Sequence, residues 1–141
     1  MINIEILGKF FDNHSLSIIN RQIALNLNKV EDFNIFLTPL DELTNDFKVN
    51  KNNIKTIKTL SEKECDDVHI QIRHSYPPIW NWPTNKETKV IYIQPWEFPK
   101  VPFEWQYRFE TFADTLCVPS NYEKDIFITG GMNPDNIAVV P

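Results

Sequence analysis

A histidine and a carboxylate stand where two apolar runs break off. Ile70-Gln71-Ile72-Arg73 stops at His74, and Ser75-Tyr76-Pro77-Pro78 then turns the chain. Val90-Ile91-Tyr92-Ile93 stops at Gln94-Pro95-Trp96-Glu97. An imidazole at a strand tip can hydrogen-bond a sugar or phosphate, or move a proton. Its plainer role is to hold its own loop. A carboxylate beside an indole is stripped of water, which raises its pKa and suits Glu97 to hydroxyl binding or general-base work. Its plainer role is a loop ion pair or an acid at a helix start. Trp96, Trp80 and Trp82 can stack on the apolar face of a sugar, or anchor the loops that carry them. Trp105, inside a helical pattern, reads as core.

Two further positions belong to the same edge. Gly8 closes the first apolar run before a helix, where a glycine lets a ligand approach the backbone and a helix N-terminus favours anions. A turn glycine explains it equally well. Ser120 follows Cys117-Val118-Pro119 and can cap the next helix or face the cleft. Other chemistries are disfavoured. The chain has three glycines, Gly8, Gly130 and Gly131, so no dinucleotide fingerprint G-x-G-x-x-G exists. No Gly-x-Ser-x-Gly elbow surrounds Ser120. His14, His69 and His74 lack the clustered acids or thiols of a metal site, and no Asp-x-Asp motif is present. No cofactor and no metal are expected. Cys65 and Cys117 make no disulfide framework.

These residues need a scaffold that gathers strand ends. Ile2, Ile4 and Ile6 alternate with Asn3 and Glu5 as a first strand. Leu16, Ile19, Ile23 and Leu27 recur at helical spacing behind Ser15, a candidate cap; Ile18 and Leu25 broaden the stripe, which predicts a well-covered helix. Strands are predicted over 32–37, 67–73, 89–94, 115–118 and 137–140, and helices over 103–113 and 121–129. Gly130-Gly131 marks a helix end that needs a left-handed residue. Between them the pattern predicts a short helix over 41–47, an exposed polar stretch over 48–58 with Ile54 and Ile57 on an edge strand, and a helical turn over 60–65. Alternating strands and helices imply α/β architecture: a Rossmann-like parallel sheet with helices on both faces, one domain over 1–141. Ligands then bind at the carboxyl edge.

Bulk properties agree with this. The chain carries 14 Lys and Arg against 19 Asp and Glu, a net charge of -5, and its pI is near 5.1. No basic face suggests nucleic acid. No apolar run reaches the length of a membrane span, and the N-terminus lacks the marks of a signal peptide, so a cytoplasmic location is expected.

Gln94-Pro95-Trp96-Glu97-Phe98-Pro99-Lys100-Val101-Pro102-Phe103-Glu104-Trp105, followed by Ala113-Asp114-Thr115-Leu116-Cys117-Val118-Pro119-Ser120, resembles the N-terminal half of a GT-B glycosyltransferase of the family 4 (group 1) type. The pattern is E-x4-P-x-x-W, then D-x-hydrophobic-x-V-P-S. Gly130 to Pro141 resembles the strand that leads to the interdomain linker, and Ser15 to Ala24 the first helix. The resemblance implies two Rossmann-like domains across a cleft. The first binds the acceptor; a C-terminal domain with an E-x7-E motif binds the nucleotide-sugar donor. Two departures stand out. The first loop has one glycine where many relatives have a pair, and Gln94 stands near a position where many carry histidine.

The implied function is the acceptor-binding half of a hexosyltransferase, inactive alone, with partners in a donor, a sugar or glycan acceptor and a C-terminal domain absent from this chain. Gly8, His74, Trp96, Glu97 and Ser120 are its candidate binding residues, and no catalytic residue is assigned. The alternative is a non-catalytic carbohydrate-binding or interaction module of the same fold. A flavodoxin-like nucleotide-binding domain is disfavoured by the missing phosphate loop.

Overall fold

A computed structural model of the chain describes all residues except 45, 46, 48 and 49. Six parallel strands form one sheet in the order β2-β1-β3-β4-β5-β6. They are β1 (Ile2–Gly8), β2 (Phe33–Pro39), β3 (Ile70–His74), β4 (Lys89–Ile93), β5 (Thr115–Val118) and β6 (Ile137–Val139). The helices are α1 (Ser15–Leu27), α2 (Lys51–Ser61), α3 (Phe103–Phe112) and α4 (Asn121–Thr129), with a 3-10 turn over Pro134–Asn136. The fold is therefore α/β and Rossmann-like, with helices on both faces. Among the described residues no helix is long and apolar enough to cross a membrane.

The helices divide between the two faces by position along the sheet. Side chains alternate across a strand. Ile4, Ile6, Ile35 and Leu37 therefore share one face, where they pack with Ala24 of α1 and with Ile57 and Leu60 of α2. Val90, Tyr92, Leu116, Val118 and Ile137 share the other, under Phe109 of α3 and Ile126 and Phe127 of α4. Aromatic edges knit this second core: Phe109 stands 5.2 Å from Tyr92, 4.8 Å from Trp80 and 5.7 Å from Phe127. The α3/α4 face is thus covered over β4–β6. Over β2, β1 and β3 it carries no helix among the described residues. The segment 62–69 borders it instead: Lys63 Nζ donates to Ile35 O, and Asn3 Nδ2 to Asp67 O.

Several boundaries differ from the sequence pattern. Ile54 and Ile57 lie in helix α2, not on an edge strand, because Ile57 and Leu60 are three residues apart and both enter the core. Asn50 caps that helix by accepting from Asn52 N–H. Of the short helix predicted over 41–47, residues 45 and 46 lie outside the described ones, and 41–44 and 47 are not helical. The strand predicted from Asp67 begins at Ile70. Ser15 does not cap α1; it is the first helical residue, and His14 stands at the cap without a side-chain bond. The buried face of α1 is Ser17, Asn20, Arg21 and Ala24, while Ile18 and Ile19 are exposed. Gly131, at φ 101, provides the left-handed residue after α4. Its N–H reaches Ile128 O and that of Met132 reaches Phe127 O, which satisfies two end carbonyls.

Candidate functional site

The chain leaves β1 toward β2 on one side and returns to β3 on the other, so the carboxyl ends of β1 and β3 flank the switch point of the sheet. Gly8 and His74 are register partners there. A Cβ on Gly8 would run into the Asn20 amide nitrogen and stand 2.7 Å from His74 O. Gly8 is therefore a packing glycine that lets α1 lie close against both strands.

Asn20 fills the space so opened. Its Nδ2 donates to Lys9 O at 3.0 Å and to His74 O at 3.1 Å. Two carbonyls can only face the NH2 group, so Oδ1 faces His74 Nδ1 at 2.7 Å and Nδ1 must carry the ring proton. Nε2 is left as a bare lone pair. It is buried and has no hydrogen-bond partner. His74 is 1% exposed, and burial pushes its pKa down to about 4, so the ring is neutral near pH 7. Ser17 Oγ is likewise buried without a completed hydrogen bond.

Both residues line a cavity of about 310 Å³ at the amino end of α1, with Lys9, Asp12, His14 and Tyr76 around it. Burial pushes the Asp12 carboxyl up, but the nearby Ser17 hydroxyl, the His14 N–H and the charges of His14 and Lys9 outweigh it and hold the pKa below the usual range. The loop from β1 to α1 is held from both sides. Asp41 accepts from Phe10 N–H and Phe11 N–H, each at 2.9 Å. Arg21 Nη1 donates to Phe10 O and Asp12 O, each at 2.7 Å. With no side-chain cap, the first-turn N–H groups of α1 remain free to meet an acceptor.

The β4/β5 edge is built differently. Glu123, 7% exposed, accepts from Trp96 N–H at 2.8 Å and from the Ser120 hydroxyl at 3.0 Å. Ser120 Oγ in turn accepts from Glu123 N–H at 3.2 Å, which caps α4. Trp96 Nε1 donates to Lys100 O, and its ring packs 4.8 Å from Trp105 and 5.1 Å from Phe98. Glu97 is exposed, so nothing strips its water. The desolvated acid of this edge is Glu123, and it is already engaged.

Of the five candidate residues, then, Gly8 and His74 meet at one edge, Trp96 and Ser120 meet through Glu123 at another, and Glu97 joins neither. Ser17, Asn20, Asp41 and Glu123 are missing from the sequence reading. The spacing 17, 20, 21, 24 is one helical face of polar and small residues, and Ser120-x-x-Glu123 is a capping-box pattern; both signals were present. Among the described residues no cluster of His, Cys, Asp and Glu could hold a metal ion. No protein-family model, no curated protein and no solved structure matches the chain.

Proposed function

We propose that the chain is the acceptor-side half of a glycosyltransferase, holding a sugar or glycan hydroxyl at the β1/β3 edge for a nucleotide-sugar donor bound by a further domain. The observation that carries this reading is the His74 Nε2 lone pair, buried, neutral and partnerless beside a cavity at the switch point. An acceptor hydroxyl donates a hydrogen bond to that lone pair. Neighbouring oxygens of the same sugar accept from the Ser17 hydroxyl and from the first-turn N–H groups of α1. Such contacts fix the direction of the attacking oxygen, and orientation is a large share of a transfer barrier.

His74 positions rather than deprotonates. A group whose pKa is about 4 is a weak base near pH 7. Asp12, held below the usual carboxylate range, is weaker than an ordinary acid side chain. The weak basicity of these two groups favours a second reading: a sugar-binding module without transfer.

NMR titration of the 15N-labelled chain with glucose, galactose, mannose and N-acetylglucosamine tests binding, and incubation with UDP-glucose or GDP-mannose tests transfer. The half-enzyme reading expects sugar-dependent shifts at Ser17, His74 and Tyr76, no consumption of either donor by the chain alone, and consumption once a donor-binding domain is supplied. Transfer by the chain alone overturns the half-enzyme reading. No transfer with the second domain present favours the module. Silence at all three residues overturns both.

A further inference from the structure

The polar side chains with the least structural excuse lie on a face of the sheet, not on the loops at its strand tips. On the uncovered part of the α3/α4 face, β2, β1 and β3 present Thr38, Glu5, Gln71 and Arg73 where the opposite face presents isoleucine and leucine. They form one chain of hydrogen bonds. Thr38 Oγ1 donates to Glu5 Oε1 at 2.5 Å, Gln71 Nε2 donates to Glu5 Oε2 at 2.5 Å, and Arg73 Nε donates to Gln71 Oε1 at 2.6 Å. Arg73 Nη1 reaches Ile79 O, Asn81 O and Tyr92 Oη, and the guanidinium lies 5.4 Å over the Tyr92 ring.

Arg73 is 2% exposed and Gln71 8%. Among the described residues no carboxylate forms a salt bridge with Arg73, and its Nη2 has no hydrogen-bond partner. A buried guanidinium costs several kcal/mol to desolvate, and apolar residues of like volume are often as stable. Among the described residues no helix packs on this quarter of the sheet to require it. Instead these four side chains, with Leu7 and Phe36 beside them, floor a cavity of about 600 Å³, within the ~300–1,000 Å³ common for small-molecule sites. Trp82, 67% exposed, stands at its rim, its indole 4.8 Å from Phe112.

We infer that this sheet-face cavity is a second binding site, and that its ligand is a neutral saccharide. Three observations select that class. The floor carries a hydroxyl, a carboxylate, an amide and a guanidinium that keep free lone pairs and N–H bonds after binding one another, as a ring of alternating hydroxyl donors and acceptors requires. The charged lining is Glu5, Glu64 and Asp66 against Lys63 and Arg73, a balance that does not favour a phosphate or polyanion. The rim supplies an exposed indole, whose face suits the C–H side of a pyranose. The site lies on a face of the sheet and reaches the ends of β2 and β3 at Thr38 and Arg73, but it shares no lining residue with the cavity of the acceptor reading and does not rest on that reading.

NMR titration of the 15N-labelled chain with maltose, cellobiose, lactose and N,N'-diacetylchitobiose is the test. The expected result is a saturable shift of the Trp82 indole N–H and of the Gln71 and Arg73 side-chain signals by at least one of these sugars. Trp82→Ala, an exposed rim change that leaves the core intact, weakens that binding about tenfold. Arg73→Met, judged only if its amide spectrum stays native, abolishes it. Three results overturn the inference: no saturable shift at these residues with any of the four sugars, unchanged affinity in Trp82→Ala, or tighter binding of inorganic phosphate or citrate at Arg73 than of any sugar.

Discussion

The β1/β3 edge and the β4/β5 edge carry the same kinds of residue and differ in what those residues leave open. At β4/β5, Glu123 takes up the Trp96 N–H and the Ser120 hydroxyl, and Ser120 caps α4 in return. At β1/β3, Asn20 takes up one ring nitrogen of His74 and two carbonyls, and leaves His74 Nε2 and Ser17 Oγ bare. The first edge is closed by its own hydrogen bonds. The second keeps two buried polar atoms without a hydrogen-bond partner. Residue type alone does not mark a ligand site; residual hydrogen-bonding capacity beside a cavity does.

The largest effect that can break this contrast is at Gly8. Gly8→Ala forces a methyl group between Asn20 and the β3 backbone. Urea denaturation should register a loss of about 3 kcal/mol, together with loss of sugar-dependent shifts at His74. Retention of full stability would mean that α1 does not need its close approach.

Next is the pH response of His74. Its folded pKa of about 4 lies below the ordinary 6.5. Between those values the unfolded chain holds more protons, so the contribution of His74 is complete above about pH 6.5 and declines as pH falls toward 4. The loss reaches about 3 kcal/mol at the acid end. His74→Asn should flatten that part of the stability profile, and an unchanged slope in the variant would place the titration elsewhere.

Glu123→Ala should cost about 2 kcal/mol, because Trp96 N–H and the α4 cap lose their buried acceptor. Sugar shifts at His74 should persist. If they vanish, the two edges are one coupled site and the contrast fails.

Ser17→Ala sharpens it in the opposite sense. Removing a buried hydroxyl without a completed hydrogen bond should leave stability within about 1 kcal/mol of the parent or raise it, while weakening sugar binding. A stability loss with unchanged binding would make Ser17 purely structural. Smallest of all, Glu97→Gln should move neither stability, by more than about 0.5 kcal/mol, nor sugar binding.

Much of the scaffold was legible because its strands carry alternating or continuous apolar residues and α4 carries its Ser120 cap. The ranges 115–118 and 121–129 match β5 and α4 residue for residue. The region before β3 was not. Ile54, Ile57 and Leu60 lie among lysines and asparagines that dilute the helical period, and only packing against Ile35 and Leu37 brings it out. In α1 the apolar stripe was right only in part: Ile23, Leu25 and Leu27 pack against the core, while Ile18 and Ile19 are exposed. Asn20 and Arg21 are buried because Lys9, Phe10, Asp12 and His74 offer carbonyls to them, a tertiary fact that apolar periodicity does not encode. Gly8 and His74 were readable as separate strand tips; their meeting required the strand order. Glu97 looked desolvated beside Trp96, but the loop turns that indole inward toward Trp105 and leaves the carboxylate in water.

The state of the His74 ring tests the contrast most directly. Long-range 1H–15N NMR at pH 7 distinguishes the two imidazole nitrogens. The structure predicts a proton on Nδ1 and a bare Nε2 in the free chain, with the Nε2 resonance moving as a hydrogen-bond acceptor when sugar saturates the site and Nδ1 unchanged. A proton on Nε2 in the free chain, or an Nε2 resonance indifferent to saturating sugar, would contradict it.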